Sequence, residues 1–347
     1  MNDWLRYSCQ IALPGFEKAT QEKLAEAKVL VVGAGGLGCP ALQYLSAIGV
    51  GCIGIADGDT VSINNLHRQI LYTPNDEGKK KATVAKERLS QQNPDIDIET
   101  HDLFVSHDNV MDVVSRYDMV LDCTDNFDTR YLLNDACVLT GKPLVYGAIY
   151  QYEGQIAVWN VANNDGTYSP NYRDLFPEVN AAAIPNCADG GVMPTIAGVI
   201  GCMQANEAVK YITGTEGLLV GKLLVFDARS MQSRVMKLGT QTKTNITQLP
   251  QKTVVNEIEY NAIQSSTDYE LVDVRSEEER HEFNIGGLHI PLHELKADLF
   301  ISVIKPIVFY CASGKRSTVA VQQLQKELPN NKLYSLKGGL NSLRQEH

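Results

Sequence analysis

The chain has 347 residues, of which 44% are hydrophobic, and a formal net charge of -10 at pH 7. This length predicts two domains, each able to bury its own core. The acidic balance, with no basic run longer than residues 79–81, argues against nucleic acid or an anionic membrane surface as a partner. We therefore expect the partner to be a small anion or another protein.

Neither a membrane span nor a secreted form is expected. The segment Val29 to Ala56 carries no charge and is long enough to cross a membrane on length alone. Its glycines and Pro40 divide it into strand, turn, helix and strand instead. The first residues carry charges and no apolar stretch, so we expect no signal peptide. Eight cysteines at irregular spacing are typical of a reducing compartment, and we expect a cytoplasmic protein.

The predicted elements of the first part of the chain alternate between strands and helices. Residues 29–33 form a continuous apolar run, as a parallel strand covered on both faces requires, and with the helix 36–49 and the strand 52–57 they make a βαβ unit. Further strands are predicted at 119–123, 144–149, 155–159 and 223–226, and further helices at 16–26, 79–91, 127–139 and 194–212. This order is typical of a doubly wound α/β sheet whose last strands are antiparallel.

A change of composition predicts the domain boundary. From residue 239 to 252, threonine and glutamine replace the apolar pattern, which indicates a linker between a domain at 1–238 and a smaller one at 253–347. In the smaller domain we expect helices and strands that again make an α/β fold. The helices are predicted at 254–264 and 317–328, and the strands at 269–274, 307–310 and 333–336.

A glycine-rich turn follows the first strand. It contains Gly33, Gly35, Gly36 and Gly38, so the backbone there can approach a phosphate at the N-terminus of the next helix. Asp57 ends the second strand, where a carboxylate accepts hydrogen bonds from ribose hydroxyls. Many nucleotide-binding proteins share this fingerprint, so these residues alone leave a nicotinamide dehydrogenase open.

Motifs further along the chain narrow the choice. The segment DGDTVSINNLHRQ at 57–69, with Lys81 and CTDN at 123–126, resembles the MoeB/ThiF (HesA/MoeB/ThiF) family of ubiquitin-activating-like adenylyltransferases. The likeness includes RYSCQI near the start, NYRDLFPE at 171–178 and QANEAVKYITG at 204–214. In this family the C-terminal carboxylate of a ubiquitin-like protein attacks the α-phosphate of ATP and expels pyrophosphate. The resemblance implies ATP and Mg²⁺ as cofactors and a homodimer.

The resemblance also implies roles for single residues. Arg68 and Lys81 contact the phosphates, because a carboxylate nucleophile needs only alignment and neutralised phosphate charge. A solvated charge is the alternative for each. Asp57 takes the ribose and Asp125 holds magnesium, although Asp125 has an alternative as the N-cap of the next helix.

Three more residues of the same motif are candidates for nucleotide binding: Asp59, Asn65 and Gln69. Asp59 and Asn65 either position substrate or cap a turn.

Two departures from the family pattern change the expectations. Many relatives hold a structural zinc with two C-x-x-C pairs, but Asn171 and Asp174 occupy the first pair's positions and the sequence contains no C-x-x-C, so we expect no zinc. Cys9 stands where the family usually has an arginine that reaches the partner subunit's ATP. Either Arg6 replaces that arginine or the site works with one positive charge fewer.

The second domain has its own motifs: DVR at 273–275, GGLHIPL at 286–292, CASGKRS at 311–317 and GG at 338–339. This set resembles the rhodanese family of sulfurtransferases. Cys311 follows an apolar strand and precedes a helix, so backbone N–H groups should hold its thiolate or persulfide, with Arg316 adding charge. A Cys phosphatase has five residues between Cys and Arg, whereas four intervene here, which favours sulfur over phosphate. A buried structural thiol is the alternative.

Together the resemblances predict an enzyme that adenylylates the Gly-Gly carboxylate of a sulfur-carrier protein of the molybdopterin synthase small-subunit type. A Cys311 persulfide, charged by a donor such as a cysteine desulfurase, would then give a thiocarboxylate. The alternatives are a carrier for thiamine or another thiocarboxylate pathway, and a non-adenylating scaffold with sulfurtransferase activity only. Cys187 is a further candidate, because in some family members a cysteine at this place accepts the carrier, although Asp189 beside it disfavours a thiolate.

Overall fold

The computed structural model describes residues 4–177, 191–250, 255–264 and 266–344, which form two compact units. The first unit comprises the described residues through Pro250, and the second those from residue 255 onward. Both units are α/β, as predicted. Within these ranges no helix is both long and apolar enough to cross a membrane.

An eight-stranded sheet forms the centre of the first unit, in the order β3-β2-β1-β4-β5-β6-β7-β8. Strands β1 to β5 pair in parallel, and β6, β7 and β8 continue the sheet in antiparallel pairing. The predicted antiparallel end of the sheet is therefore confirmed. The strands are β1 (Lys28–Val32), β2 (Cys52–Ala56), β3 (Asp97–His101), β4 (Met119–Asp122), β5 (Leu144–Tyr150), β6 (Glu153–Trp159), β7 (Lys222–Asp227) and β8 (Gln232–Lys237).

Helices cover both faces of this sheet and bury two apolar clusters. Strand β1 shows why its sequence is continuously apolar: Val29 and Val31 enter one cluster, and Leu30 and Val32 enter the other. The helices are α1 (Ser8–Ile11), α2 (Lys18–Glu26), α3 (Gly38–Ile48), α4 (Lys81–Gln92), α5 (Val110–Ser115), α6 (Phe127–Thr140), α7 (Tyr172–Leu175) and α8 (Pro194–Thr213).

Two strands of this sheet were not predicted, and both lie at its edges. Strand β3 has the sequence DIETH, and β8 has the sequence QSRVMK with every residue exposed. An edge strand need not bury both of its faces, so it lacks the apolar run by which the central strands are recognised.

The second unit has a five-stranded parallel sheet in the order β11-β10-β12-β13-β9. Its strands are β9 (Asn256–Ile258), β10 (Glu270–Asp273), β11 (Leu288–His289), β12 (Ile307–Tyr310) and β13 (Leu333–Leu336), and its helices are α9 (Tyr260–Ile263), α10 (Glu277–Glu282) and α11 (Lys315–Glu327). The helix predicted at 254–264 is wrong over its first part, because residues 256–258 pair with β13 as an edge strand. Tertiary pairing overrides a weak local preference there.

Candidate functional site

The glycine turn between β1 and α3 needs its glycines for two different reasons. Gly33 has φ +94°, and a Cβ on it would collide with the Cys123 carbonyl. A Cβ on Gly38 would collide with the carbonyl of Gly33, so these two positions make the turn itself. Gly35 and Gly36 instead lie beneath the side chains of Gln69 and Arg68, respectively. The turn thus brings the predicted Gly loop and the DGDTVSINNLHRQ segment together.

Asp57 ties this loop to the end of β2. One carboxylate oxygen accepts the Ala34 N–H at 2.7 Å, and the other accepts the Asp59 N–H at 2.8 Å. Each oxygen retains a second lone pair, so the carboxylate can still accept a hydrogen bond from a ribose hydroxyl. Tyr72 also supports the loop, since its hydroxyl donates to the Ala34 carbonyl at 2.8 Å. Burial raises the pKa of Tyr72, which keeps it a neutral donor.

Lys81 is buried at the start of α4, with only 4% of its surface exposed. Its Nζ lies 2.6 Å from a carboxylate oxygen of Asp59, and its N–H donates to the Asp59 carbonyl. The solvated alternative for Lys81 is therefore wrong. Asp59 holds the ammonium in place, a role that the sequence left open between substrate positioning and turn capping.

Arg68 lies half-buried over Gly36. Its guanidinium donates to the side-chain oxygen of Asn65 at 2.9 Å, which gives Asn65 a positioning role. Gln69 is buried, and within the described chain its Oε1 has no hydrogen-bond partner. A buried amide oxygen without a partner is costly unless a ligand or water satisfies it. Both side chains are thus available beside the glycine turn.

Asp125 follows β4, and the structure decides between its two alternatives. The N-cap of α6 is Asn126, whose side-chain oxygen accepts the Thr129 N–H at 2.9 Å. Asp125 is exposed, and its carboxylate makes no hydrogen bond or ion pair within the part of the chain that is described. The capping alternative for Asp125 is therefore wrong, and its carboxylate is available to a ligand.

A buried ion pair behind this loop was missed by the sequence interpretation. Arg130 Nε lies 3.1 Å from Asp122 Oδ2, and Arg130 also donates to the Thr124 carbonyl at 3.0 Å. Asp122 accepts the N–H and the hydroxyl of Thr124 through its other oxygen. The pair therefore fixes the backbone immediately before Asp125. Both residues flank CTDN in the sequence, but only their juxtaposition in space reveals the role.

The amino-terminal residues do not place a cation by themselves. Cys9 is exposed, and Arg6, the expected substitute for the missing arginine, donates to the Gln92 carbonyl at 3.0 Å. Arg6 is therefore engaged with its own chain.

Polar residues occupy the positions at which many relatives hold zinc. Asp174 accepts hydrogen bonds from the N–H groups of Lys243 and Thr244 and from the hydroxyls of Thr242 and Thr244. Asn171 donates to both of these hydroxyls. The cluster thus ties α7 to a segment that we expected to be linker, and the His107 ring donates to the carbonyl of Pro250 at its far end.

Burial alone would raise the pKa of Asp174, but the hydrogen bonds from Asn171, Thr242, Lys243 and Thr244 hold it below its usual value. Across the described ranges, no group of three or more His, Cys, Asp or Glu side chains is arranged to hold a metal ion. The absence of zinc stays a prediction.

In the second unit, Cys311 follows β12 and only 1% of its surface is exposed. The Gly-Gly motif packs directly against its loop, since a Cβ on Gly339 would collide with the Cys311 carbonyl. The N–H groups of Leu340 and Asn341 donate to the carbonyls of Cys311 and Ala312 at 2.9 and 2.8 Å. These contacts explain why two glycines belong to the same motif set as the cysteine.

Arg316 is held by a residue that the sequence interpretation did not select. Its guanidinium donates to both carboxylate oxygens of Glu279, at 2.7 and 2.6 Å. Hydrogen bonding to Arg316 lowers the pKa of Glu279, which therefore stays charged. In the DVR motif, Arg275 pairs with the buried Asp273 and also donates to the Glu279 carbonyl. This motif therefore supports the helix that presents Glu279.

Comparison with known proteins agrees with both sites. The ThiF family model matches residues 7–247, and the rhodanese-like domain model matches residues 257–346. The chain belongs to the ThiF family. It continues into a rhodanese-like domain, so both predicted families are confirmed.

Similar proteins with the same combination are known. Adenylyltransferase and sulfurtransferase MOCS3 from Drosophila grimshawi is 37% identical over 98% of this chain and 84% of its own length. The probable molybdopterin-synthase adenylyltransferase of Porphyra purpurea is 34% identical over 99% and 93%. The sulfur carrier protein adenylyltransferase of Thermus thermophilus is 47% identical over 64% and 83%, with 224 residues aligned. The chain is thus an enzyme of the adenylyltransferase type with a sulfurtransferase domain.

The solved structure of E. coli MccB with MccA-N7isoASN has a similar fold, with a TM-score of 0.60 and 20% identity over 70% of this chain and 73% of its own. This likeness confirms the doubly wound fold of the ThiF domain. Cys187, the candidate for a covalent role, lies outside the described residues.

Proposed function

We propose that the ThiF domain adenylylates the C-terminal Gly-Gly carboxylate of a ubiquitin-like sulfur-carrier protein and that Cys311 of the rhodanese-like domain supplies the sulfur. The observation that carries the proposal is the placement of Lys81. A buried ammonium at the start of α4, held by Asp59 beside the DGDTVSINNLHRQ segment, suits the polyphosphate of ATP. The names of the relatives support the same pair of reactions.

Each predicted nucleotide contact has a matching group. The backbone of Gly35 and Gly36 can approach the phosphates, and Arg68 lies directly over this part of the loop. Asp57 keeps lone pairs for the ribose hydroxyls. Gln69 offers an unpartnered amide oxygen in the same place.

Asp125 fits magnesium, because Mg²⁺ in nucleotide sites is held by one or two carboxylates together with substrate phosphates and water. The carboxylate is exposed, unpaired within the described residues, and placed at the carboxyl end of β4. Magnesium bound there would neutralise charge on the phosphates. The Asp122–Arg130 pair holds the backbone that leads to it.

In the adenylylation step, a carboxylate oxygen of the carrier bonds to the α-phosphorus, and the bond from that phosphorus to the bridging oxygen breaks. Pyrophosphate leaves with the electron pair. No general base is needed, because the nucleophile is already an anion. The task of Arg68 and Lys81 is to neutralise phosphate charge and align the leaving group.

In the sulfur step, the terminal sulfur of a Cys311 persulfide attacks the acyl carbon and AMP leaves, which gives an acyl disulfide. A second thiolate then attacks Sγ of Cys311 and releases the thiocarboxylate. We propose Cys187 for this resolving role. The disulfide so formed returns to two thiols by exchange with an external dithiol.

The proposal is tested by exchange of labelled pyrophosphate into ATP in the presence of a carrier ending in Gly-Gly. Asp125→Ala should abolish exchange, whereas Asp128→Ala, which removes an exposed carboxylate one helical turn further along, should not. Wild-type exchange by the Asp125 variant would exclude the magnesium assignment.

The sulfur step has a separate test. Cys311→Ser should lose transfer of sulfur from thiosulfate to cyanide and keep pyrophosphate exchange. Loss of both activities would show that the two sites are not chemically separable.

For the carrier, we propose the molybdopterin synthase small subunit, supported by the name of the Porphyra relative. Carriers for thiamine or another thiocarboxylate pathway are the alternatives. Incubation of the enzyme with each purified carrier, ATP and a persulfide donor such as a cysteine desulfurase decides, because the thiocarboxylate adds 16 Da of mass, the difference between sulfur and oxygen. We further propose a homodimer and a cytoplasmic location. A scaffold without adenylylation is favoured only by Cys9, and measurable pyrophosphate exchange would exclude it.

A further inference from the structure

A connected row of hydroxyl groups lies beneath Cys311. Cys311 Sγ is 3.7 Å from Ser317 Oγ, and Ser317 Oγ is 2.8 Å from Ser335 Oγ. The Thr318 hydroxyl donates to Ser335 Oγ at 3.4 Å. Ser317 and Ser335 have 0% and 1% of their surfaces exposed, so water does not compete for these contacts. The row joins the first turn of α11 to strand β13.

Hydrogen-bond accounting fixes the direction of the row when Cys311 is a neutral thiol. A hydroxyl donates one hydrogen bond and accepts two. Ser317 donates to the Gly314 carbonyl at 2.9 Å, because a carbonyl can only accept. Ser335 must then donate to Ser317, and the remaining lone pair of Ser317 faces the Cys311 thiol. In this state Ser317 stabilises the protonated sulfur.

The same hydroxyl can serve the ionised sulfur by a simple rotation. A thiolate is a charged acceptor, and hydrogen bonds to charged acceptors are stronger than those to a neutral carbonyl. Gly314 does not become orphaned when Ser317 turns away, because its carbonyl also accepts the Thr318 N–H at 3.0 Å. All three hydroxyls then donate in the direction of the sulfur, and such chains polarise one another.

We propose that Ser317 is a catalytic residue of the rhodanese-like domain that donates a hydrogen bond to the ionised sulfur of Cys311, and that Ser335 is a positioning residue acting through it. This inference rests on the proposed role of Cys311 as the sulfur-carrying residue. Charged side chains nearby are already paired, Arg316 with Glu279 and Arg275 with Asp273. The hydroxyl row supplies neutral donors that need no counter-ion. The thiol proton goes to solvent, and no other bond changes.

The proposal is tested by the pH dependence of alkylation of Cys311 by iodoacetamide in the full-length chain, followed on the Cys311 peptide by mass spectrometry. The midpoint of the pH–rate profile reports ionisation and, unlike the absolute rate, does not depend on access to the sulfur. In Ser317→Ala the midpoint should rise by about one pH unit, the size of one hydrogen bond to a charged group. In Ser335→Ala it should rise by less.

Ser302→Ala is the matched control, because it removes an exposed hydroxyl from the same domain and should leave the midpoint unchanged. A merely structural serine would alter thermal stability and leave the midpoint in place, so an unchanged midpoint in Ser317→Ala overturns the proposal. If that variant does not fold, an unchanged midpoint in Ser335→Ala overturns it equally. Sulfur transfer from thiosulfate by the unaltered chain is measured separately. Its absence would exclude the role of Cys311 while the alkylation midpoints still test Ser317.

Discussion

The hydrogen-bond cluster around Asp174 offers a stability prediction whose size can be worked from the contacts. Its carboxylate accepts five hydrogen bonds: four from residues 242–244 and one from the Asn171 N–H at 2.8 Å. In Asp174→Ala the N–H of Asn171, a residue with 1% of its surface exposed, loses its acceptor, which costs about 2 kcal/mol. The other donors are half-buried or exposed and water replaces part of their bonds, so together they add about 1 kcal/mol.

The expected loss is therefore about 3 kcal/mol in the free energy of unfolding of the ThiF domain. For a domain of this size it corresponds to a fall of about 10 °C in the melting temperature. The measurement is the temperature at which pyrophosphate exchange is lost, together with calorimetry of the same sample. Asp95→Ala is the control, because Asp95 is exposed and its carboxylate makes no hydrogen bond among the described residues.

The effect should also depend on pH, with a sign that follows from the lowered pKa of Asp174. A carboxylate whose pKa is lower when folded stabilises the protein above its unfolded pKa of about 3.9, and this contribution is lost as pH falls through the folded value. The stability difference between wild type and variant should thus be largest near pH 7 and shrink below pH 4. A variant as stable as the control at pH 7, or a difference that does not change with pH, would refute the role assigned to the cluster.

Further predictions concern the nucleotide site and the metal content. Asp59→Asn should lower pyrophosphate exchange about tenfold, because Lys81 loses the partner that fixes it, whereas Lys79→Ala, at an exposed lysine, should not; equal exchange in both would remove that role. Cys9→Arg should raise exchange if the missing arginine limits the site, and an unchanged rate would show that it does not. Protein purified without chelators should contain far less than one zinc per chain by elemental analysis, and stoichiometric zinc would contradict the interpretation of Asn171.

How far the sequence predicts this fold depends on how many faces of an element are buried. Strand β1 is read from its sequence because Val29 and Leu30 enter opposite cores, which forces an apolar residue at every position. Strand β8, exposed throughout at the sheet edge, has no such requirement and was not predicted. Strand β9 was taken for helix, since its three residues acquire strand pairing only from β13. Local sequence therefore specifies the centre of each sheet better than its edges.

The candidate sites divide in the same way. Gly33 and Gly38 are predictable because a backbone turn demands glycine at a fixed place in the chain. The pairing of Arg316 with Glu279 spans 37 positions, and no local pattern encodes such a distance. Asp125 lies between these cases: its sequence neighbourhood suits a cap or a ligand equally, and the choice came only from the side chain of Asn126.

The charges beside the glycine turn bear on how ATP is accepted. Two cations, Arg68 and Lys81, stand against three carboxylates, Asp57, Asp59 and Asp125, so these side chains carry one negative charge in excess. The ion pair of Lys81 with Asp59, at 2.6 Å, spends part of the attraction that the ammonium would offer a phosphate. Such a site cannot neutralise a polyphosphate with its own side chains. The proposed role of Asp125 follows from this deficit, because an unpaired carboxylate would only repel the nucleotide unless a cation lay between them. In a family where an arginine usually occupies the place of Cys9, this chain therefore depends more on that cation than its relatives do.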